Sequence, residues 1–375
     1  MSVTLKGKSL VENSSLRSDL DRNTAGNAMR RRWPAEWEPH RATWLSWPNN
    51  IETWPDCLGA VEDAFCEMVR AIVPGEIVEI HVGDVESADR VRARLKGAGV
   101  ADLDRVRFRG VSTDDAWIRD HGGIFVLEES ASGGSRRILL DFEFDAWGGK
   151  YPPWDRDAKV AEQMAQIARV PHRALPLVLE GGSIDGDGEG TILTTESCLL
   201  NPNRGRPGVD RSREALEACL CRELGARKVL WLGDGIEGDD TDGHIDDLTR
   251  FVQPGRVVTV VENDRGDANH AALNANRARI DGMTDAAGRR LEAIELPMPP
   301  EMRGPHGRAP ASYANFYFSN AALLVPVFGV EQDALALSIL ESIITDRPVV
   351  PIPSQNLVLG LGSVHCLTQQ EPMLG

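Results

Sequence analysis

One pattern returns along the chain at intervals of roughly 60 residues, and it constrains the fold more than any other feature. In each repeat a polar segment meets a turn of glycine, proline, serine or asparagine, and a short strand of apolar and β-branched residues follows. Helical periodicity then separates one strand from the next. The polar segments lie at 114–121, 179–183, 244–248 and 313–318, a segment ending at Cys366 closes the series, and the helices are predicted at 157–167, 210–224, 270–291 and 331–344.

The repeated unit therefore has the order strand, strand, helix, strand, and it predicts an α/β fold. A ring of such units would place one polar segment from each unit on a common axis. One closed domain over residues 33–375 accounts for the length better than two separate domains. Residues 1–32 are polar and rich in serine, asparagine and arginine, so we expect them to form a disordered lead-in.

The first third of the chain predicts further elements of the same kind. Three tryptophans, Trp44, Trp47 and Trp54, crowd this region, and we expect them to pack in the core. Strands are predicted at 42–48, 76–82 and 106–111, and helices at 57–72 and 87–95.

Composition narrows the classes of partner. The chain has 375 residues and a net charge of −16, so we expect no nucleic acid partner, because phosphates demand a basic face. No apolar run approaches the roughly 20 residues that span a bilayer, and 1–32 has no apolar secretory core, so we expect no membrane partner. Six cysteines without regular spacing predict reduced thiols and a cytoplasmic location.

Two acidic segments invite comparison with metal sites. The segment 185–196 is spaced like a calcium loop, but a strand is predicted inside it, so we interpret it as a Gly-Asp hairpin turn. In the segment 237–247, a calcium loop aligned on Gly243 would begin at Gly238 and end at Thr249, where acids are required. His244 has no His or Cys partner at zinc spacing. The sequence also lacks a phosphate-binding glycine motif and a GxSxG elbow, so it predicts no metal site and no common nucleotide or serine-hydrolase site.

Five side chains with catalytic potential remain. Cys366 follows two glycines at alternate positions and has a histidine beside it. His244 and Asp246 would share one face of a strand, and Asp120 and Glu180 each lie just before a Gly-Gly pair. Taken singly, such acids are most often solvated or paired at the surface, and such a cysteine is most often structural. Because they lie in four different repeats, the ring of units could bring them to one site.

Six segments resemble the agmatine deiminase family of the guanidine-modifying, or pentein, superfamily. They occur in the family's order over nearly the whole chain from residue 33 to 372, and an NPNR segment at 201–204 agrees with them. The segments are PAEWEPH at 34–40, DAWIRD at 115–120, DAWGGKYPPWD at 145–155, LEGGS at 179–183, TDGHID at 241–246 and GSVHCLTQQ at 362–370.

The resemblance implies a pentein-type α/β propeller with five-fold pseudosymmetric ββαβ repeats. It also implies a role for each candidate residue. Cys366 would be the nucleophile and His244 the general acid and base. Asp120 and Asp246 would bind the guanidinium, and Glu180 would support the histidine and the substrate.

The activity that the resemblance implies is hydrolysis of agmatine to N-carbamoylputrescine and ammonia, within arginine catabolism and putrescine and polyamine biosynthesis. It would pass through a covalent thiouronium on Cys366 and need no metal or organic cofactor. The partner would be a cationic small-molecule guanidine, and Trp117 resembles the aromatic residue that covers it. The resemblance also implies a homodimer or homotetramer.

Two departures leave the guanidine substrate open. Asp242 and Asp247 stand where many members of the family have asparagine. Deimination of arginine, a guanidino acid or a peptidyl-arginine is an alternative, as is transfer of the amidino group to an amine. A non-catalytic polyamine-binding protein is a different class, although it has no need of Cys366. Glu36, Glu38 and Asp242 are the candidates for binding a distal amine.

Overall fold

The computed structural model describes residues 30–130 and 134–374. The longer helices lie close to the predicted ones, and they connect strands in every repeat. They are α1 (Leu58–Ile72), α2 (Val85–Gly97), α3 (Val160–Ala168), α4 (Arg213–Leu224), α5 (His270–Asp281) and α6 (Gln332–Ile343).

The strands are numbered along the described chain. They are β1 (Arg30–Arg32), β2 (His40–Ser46), β3 (Ile77–Val82), β4 (Val106–Gly110), β5 (Ile124–Glu129), β6 (Ser135–Glu143), β7 (His172–Val178), β8 (Asp185–Gly186), β9 (Thr191–Thr195), β10 (Lys228–Leu232), β11 (Thr249–Gln253), β12 (Arg256–Val261), β13 (Glu292–Pro297), β14 (Arg303–Gly304), β15 (Gly307–Arg308), β16 (Tyr317–Phe318), β17 (Leu323–Val327), β18 (Val349–Pro353) and β19 (Gln369–Pro372).

Five sheets in the described chain share one topology. In each, two antiparallel strands are followed by a helix and then by a strand parallel to the second. The predicted strand-strand-helix-strand unit is thereby confirmed, and the fold is mixed α/β. The five sets are β5-β6-α3-β7, β8-β9-α4-β10, β11-β12-α5-β13, β16-β17-α6-β18 and β19-β2-α1-β3.

The fifth of these sheets joins the two ends of the chain. Strand β19 follows Cys366 in sequence and pairs antiparallel with β2, with Gln369 opposite Trp44. The nucleophile candidate therefore lies between an edge strand of the N-terminal sheet and the last repeat. Closure of the sheet by distant segments holds this part of the chain in place.

Helix α4 shows how local sequence sets an element's bounds. Its N-cap Ser212 accepts a hydrogen bond from the backbone N–H of Ala215, and its C-terminus is the predicted Gly225, with φ of 74°. A Cβ at Gly225 would lie 2.0 Å from the carbonyl oxygen of Arg31, so glycine also permits β1 to approach.

The structure differs from the predictions at three places. His244 and Asp246 do not lie on a strand, because Ile245–Asp247 form a 3-10 turn closed by a hydrogen bond from the Leu248 N–H to the Ile245 carbonyl. Helix α5 ends at Asp281 instead of reaching 291, because Asp285 accepts hydrogen bonds from the backbone N–H groups of Ala287 and Arg289 and forms a turn. Within the predicted disordered lead-in, Arg30–Arg32 form a strand paired with β5. The remainder of the lead-in, residues 1–29, lies outside the described residues.

The segment 185–196 is a hairpin, as predicted. Strand β8 pairs antiparallel with β9, and Asp187 uses both side-chain oxygens within the turn by accepting from Thr191. Trp44, Trp47 and Trp54 are buried in the core, as expected. Across the described part of the chain, every helix is too short or too polar to cross a membrane.

Candidate active site

The turns between the repeats bring all five candidate side chains together. Cys366 Sγ lies 3.8 Å from Asp246 Oδ2. The His244 imidazole lies between two further acids, with Nδ1 3.8 Å from Asp120 Oδ1 and Nε2 4.0 Å from Glu180 Oε2. All five residues are buried. A thiol, an imidazole and three carboxylates are thus concentrated in one place.

Gly182 makes room for this cluster. A Cβ at this position would lie 2.6 Å from His244 Nδ1, 2.9 Å from Asp120 Oδ1 and 3.0 Å from Asp246 Oδ2. Polar atoms of two repeats therefore converge on a glycine of a third, at a point that a larger residue would fill.

Cys366 is held by the neighbouring repeat. Asn315 Nδ2 donates a hydrogen bond to Cys366 Sγ at 3.2 Å and another to Asp247 Oδ1 at 3.0 Å. Burial, followed by the charges of Asp246, Asp247 and Asp120, raises the pKa of the Cys366 thiol well above its usual value. Without a cation beside it, Cys366 is therefore a thiol and not a thiolate.

The surroundings of His244 favour its charged form, whereas those of Cys366 favour its neutral form. Burial alone would lower its pKa, but Asp120, the adjoining Cys198 and Asp246 outweigh burial and hold the pKa of His244 well above its usual value. The imidazole is therefore protonated at neutral pH, and it can donate a proton to a leaving group.

Asp120 is fixed at both oxygens. Oδ1 accepts from the backbone N–H of Gly182 and Oδ2 from Trp147 Nε1, each at 3.0 Å. Burial raises the pKa of Asp120 to about 6, although the His244 cation opposes that rise. Its carboxylate is thus held by one donor from its own repeat, Trp147, and one from the next repeat, Gly182.

Asp246 is held by a buried charge network. Its Oδ2 lies 2.6 Å from His365 Nδ1, and His365 Nε2 lies 2.8 Å from Glu36 Oε2. Glu36 also accepts from Arg250 and Arg119 at 2.9 and 3.2 Å. Burial would raise the pKa of Asp246, but His365, His244 and Arg250 lower it below its usual value, so the carboxylate stays ionised.

Glu180 is held by the Asn-Pro-Asn-Arg segment. Arg204 Nε donates to Glu180 Oε1 at 2.9 Å, and the same guanidinium pairs with Asp242. Asp242 also lies 2.8 Å from Lys150 Nζ, so its extra charge is neutralised by two cations. Asp247, the other departure from the family pattern, lies instead beside Cys366 through Asn315.

A cavity of about 620 Å³ opens onto the cluster. Asp120, Trp117 and Cys366 line it together with Trp147 and Tyr151. Trp117 packs against Trp54 with ring centroids 5.2 Å apart, which fixes its ring at the wall. The predicted aromatic neighbour of the site is therefore present beside the thiol.

The three candidates for a distal amine site lie elsewhere. Glu36 belongs to the buried network under Asp246, Glu38 pairs with Arg32, and Asp242 pairs with Arg204 and Lys150. Each carboxylate already has a cationic partner within the chain. The cavity wall instead carries Asp240, whose pKa burial raises to about 6.

Sequence reasoning missed several residues of the site. Asn315, His365, Trp147 and Arg204 contact the candidate side chains directly. The available signals were adjacency for His365, which precedes Cys366, and membership of the family segments for Trp147 and Arg204. For Asn315 the only signal was its place in the polar segment of a repeat.

The fold is that of the guanidine-modifying hydrolases, and a buried thiol, an imidazole and carboxylates lie together beside one cavity. The protein therefore belongs to this class of enzyme. The chain belongs to the Porphyromonas-type peptidyl-arginine deiminase family, whose model matches residues 32–372. It is 37% identical to the agmatine deiminase of Stutzerimonas stutzeri over 362 residues, covering 90% of this chain and 95% of that protein.

Solved structures agree with this assignment. The agmatine deiminase of Enterococcus faecalis has a TM-score of 0.82 and 34% identity, with 93% of this chain and 96% of that chain covered. The agmatine deiminase of C. jejuni with substrate bound has a TM-score of 0.80 and 27% identity, with 92% and 97% covered.

Proposed function

We propose that the protein is an agmatine deiminase, which hydrolyses agmatine to N-carbamoylputrescine and ammonia. The observation that carries the proposal is the convergence of Asp120, Asp246, His244 and Cys366 around the point that Gly182 leaves open. A guanidinium is planar, cationic and rich in N–H donors, and carboxylates on different sides of it would fix its plane. Glu180 would support His244 from behind.

Substrate binding would activate the nucleophile. Cys366 is a buried thiol whose pKa is raised by burial and by Asp246, Asp247 and Asp120. A guanidinium seated against those acids neutralises their field, so the pKa of the thiol falls, its proton passes to solvent water, and the thiolate forms beside the electrophilic carbon. The substrate cation thereby adds to the positive charge of His244 and offsets the carboxylates around the thiol.

The reaction then proceeds in two covalent steps. The thiolate of Cys366 adds to the guanidine carbon, His244 donates a proton to the departing nitrogen, and the C–N bond breaks to release ammonia. The remaining S-alkylthiouronium is attacked by water, which gives a proton to His244. The C–S bond breaks, Cys366 leaves as thiolate, and the ureido product forms. No redox change occurs.

The charge of the cavity wall favours a dication. Lys150 and Arg156 are its lysine and arginine side chains, and each is already paired with an acid, Asp242 and Asp114 respectively. An α-carboxylate would meet an acidic wall, whereas a terminal ammonium would be attracted to it. Six acids line the cavity: Glu52, Asp114, Asp115, Asp120, Asp157 and Asp240.

An ammonia-release panel tests the proposal. Purified protein is supplied with agmatine, arginine, 4-guanidinobutyrate or a peptidyl-arginine, and kcat/KM is compared. We expect agmatine to be preferred, because it combines a guanidinium with a terminal ammonium and has no carboxylate to be repelled by the acidic wall. Preference for another guanidine would reassign the substrate. If the guanidine were consumed only when an amine was added, and no free ammonia appeared, an amidinotransferase would be favoured. If the guanidine bound without turnover, a non-catalytic polyamine-binding protein would be favoured.

Three further properties belong to the same proposal. We infer that residues 33–375 form one domain in which the five ββαβ sheets surround a pseudo-five-fold axis, as in a pentein-type propeller. Support comes from the shared topology of the sheets and the convergence of their turns. A cytoplasmic location is supported by six cysteines that are all unpaired. A homodimer or homotetramer stays a prediction.

A further inference from the structure

A cysteine outside the proposed reaction lies behind the His244 imidazole. Cys198 is in the short helix Glu196–Leu199, and it is completely buried. Its Sγ, a ring nitrogen of His244 and a carboxylate oxygen of Glu180 all lie within 4.8 Å of one another. Glu180 and Cys198 come from one repeat and His244 from the next, and no metal-ligand spacing in the sequence indicates the group.

The polar atoms of this group are unsatisfied. Glu180 Oε2 and His244 Nε2 are buried and have no hydrogen-bond partner among the residues that the structure describes. They face each other at 4.0 Å, too far apart for a hydrogen bond. Buried polar atoms are normally paired, so this arrangement requires an explanation.

We propose that Glu180, Cys198 and His244 form an inhibitory binding site for a thiophilic divalent cation such as Zn²⁺. Thiolate, imidazole and carboxylate are the ligands that Zn²⁺ takes, and three protein ligands with an open fourth position are a common arrangement. Bond lengths of about 2.0 to 2.3 Å place tetrahedral ligand atoms about 3.3 to 3.6 Å apart, so the side chains would close in slightly around the ion.

The surroundings of the group favour a dication. Glu180 Oε1 is fixed by Arg204 Nε at 2.9 Å, which leaves Oε2 directed at His244. On the far side of the imidazole, Nδ1 faces Asp120 Oδ1 at 3.8 Å. Asp120 stands where the outer carboxylate of a metal-binding histidine usually lies, at a distance longer than a hydrogen bond, so a small shift of the imidazole would complete the contact.

A cation at this site would block proton transfer. An imidazole that gives the Nε2 lone pair to a metal keeps a single proton on Nδ1, so it cannot exist as the imidazolium that donates to the leaving group. The guanidinium position lies on the Nδ1 side, between Asp120 and Asp246. The cation therefore lowers kcat with little change in KM, and a chelator restores the rate. This kinetic consequence rests on the proposed function, whereas cation binding does not.

Cobalt spectroscopy tests the site without reference to activity. The chelator-treated full-length protein is titrated with Co²⁺, and the thiolate-to-cobalt charge-transfer absorption is recorded. We expect one saturable site with this absorption in the parent protein and in Cys366→Ser and Cys221→Ser, which remove the nucleophile and an exposed thiol. Cys198→Ala and the more conservative Cys198→Ser should lose the absorption and bind at least ~10-fold more weakly.

The outcomes separate the two proposals. Absence of the absorption in the parent protein, its persistence in both Cys198 variants, or its loss in Cys366→Ser would each overturn the cation site. If the metal-free protein released ammonia from agmatine, and the cobalt titration gave no thiolate-to-cobalt absorption, only the cation site would be overturned. If the protein bound Co²⁺ through Cys198 but released ammonia from no guanidine, only the proposed function would be overturned.

Discussion

His365 Nδ1 lies 2.6 Å from Asp246 Oδ2, so the residue that precedes the nucleophile candidate also fixes one of the guanidinium-binding candidates. The other ring nitrogen of His365 lies 2.8 Å from Glu36 Oε2. This positioning residue contributes to the low pKa of Asp246 and thus to its ionised state.

Replacing His365 by glutamine should therefore weaken substrate binding by Asp246. A charge-assisted hydrogen bond is worth about 1.5–3 kcal/mol, so we expect kcat/KM to fall about 10- to 100-fold. The ionisation of Asp246, which lies below that of Asp120, should also move to higher pH and steepen the acid limb, because loss of His365 raises the pKa of Asp246. The matched control is His172→Gln. His172 is on β7 and is paired with Asp141 on β6. A uniform loss of activity with an unshifted profile would reduce His365 to a structural role.

Cys366→Ser should bind agmatine and release no ammonia, because a hydroxyl in this acidic, buried site is not ionised by a bound cation. Calorimetry measures the binding, and an ammonia assay measures turnover. Cys221→Ser removes an exposed thiol and should leave both unchanged. Normal turnover by Cys366→Ser would remove this residue from the nucleophile role.

The pH profile of kcat/KM should be bell-shaped. The free enzyme needs ionised Asp120 and protonated His244, so kcat/KM rises with pH as Asp120 loses its proton near its pKa of about 6. It falls at higher pH as His244, whose pKa is raised above its usual value by Asp120, Cys198 and Asp246 against the effect of burial, becomes neutral.

Asp120→Asn identifies the group behind the acid limb. It should lower kcat/KM at least ~100-fold and abolish that limb, because the amide does not titrate and cannot hold the cation. An acid limb that persists in Asp120→Asn belongs to another group and contradicts the assignment.

Trp117→Ala should raise KM for agmatine with a smaller effect on kcat, because the ring lines the cavity and offers its face to a cation. The indole also packs on Trp54 and close to Gly362, so thermal stability has to be measured alongside. Trp117→Phe keeps an aromatic face and should recover much of the lost affinity. Equal KM values in all three proteins would make Trp117 a packing residue.

The parts of the fold that sequence predicts well are those fixed by local chemistry. The strand at 191–195 and the stop of α4 at Gly225 follow from β-branched residues and a left-handed glycine. The predicted helix at 270–291 was too long, because helical periodicity continues through a turn that is made by Asp285. Arg30–Arg32 gain their strand only by pairing with β5, which no local signal shows.

The residues of the site also fall into those that the sequence identifies and those that only the assembled fold brings in. Cys366, His244, Asp120, Asp246 and Glu180 could be named from the sequence because they lie in recognisable segments. Many of their supporting contacts come from other repeats, as when Asn315 binds the Cys366 sulfur or the backbone N–H of Gly182 binds Asp120. Such pairs depend on how the turns converge, and that is a property of the assembled fold.

Gly182→Ala tests that convergence with a single methyl group. Its Cβ would lie within 3.0 Å of His244 Nδ1, Asp120 Oδ1 and Asp246 Oδ2, so at least one of the three has to shift. The backbone N–H that Gly182 gives to Asp120 is retained, and Gly182 is not among the residues with positive φ, so the added methyl group causes no backbone strain. A displacement of about 1 Å in a catalytic group can cost about 100-fold in rate.

We therefore expect Gly182→Ala to lose about 100-fold in kcat/KM while its circular dichroism spectrum stays that of the parent. Gly59→Ala is the matched control, because Gly59 lies in α1 and a Cβ there has no neighbour within 4 Å. It should keep full activity and gain a few tenths of a kcal/mol or more in stability from helix propensity. If Gly182→Ala turned over agmatine as fast as Gly59→Ala, the guanidinium could not occupy the point between Asp120, Asp246 and His244.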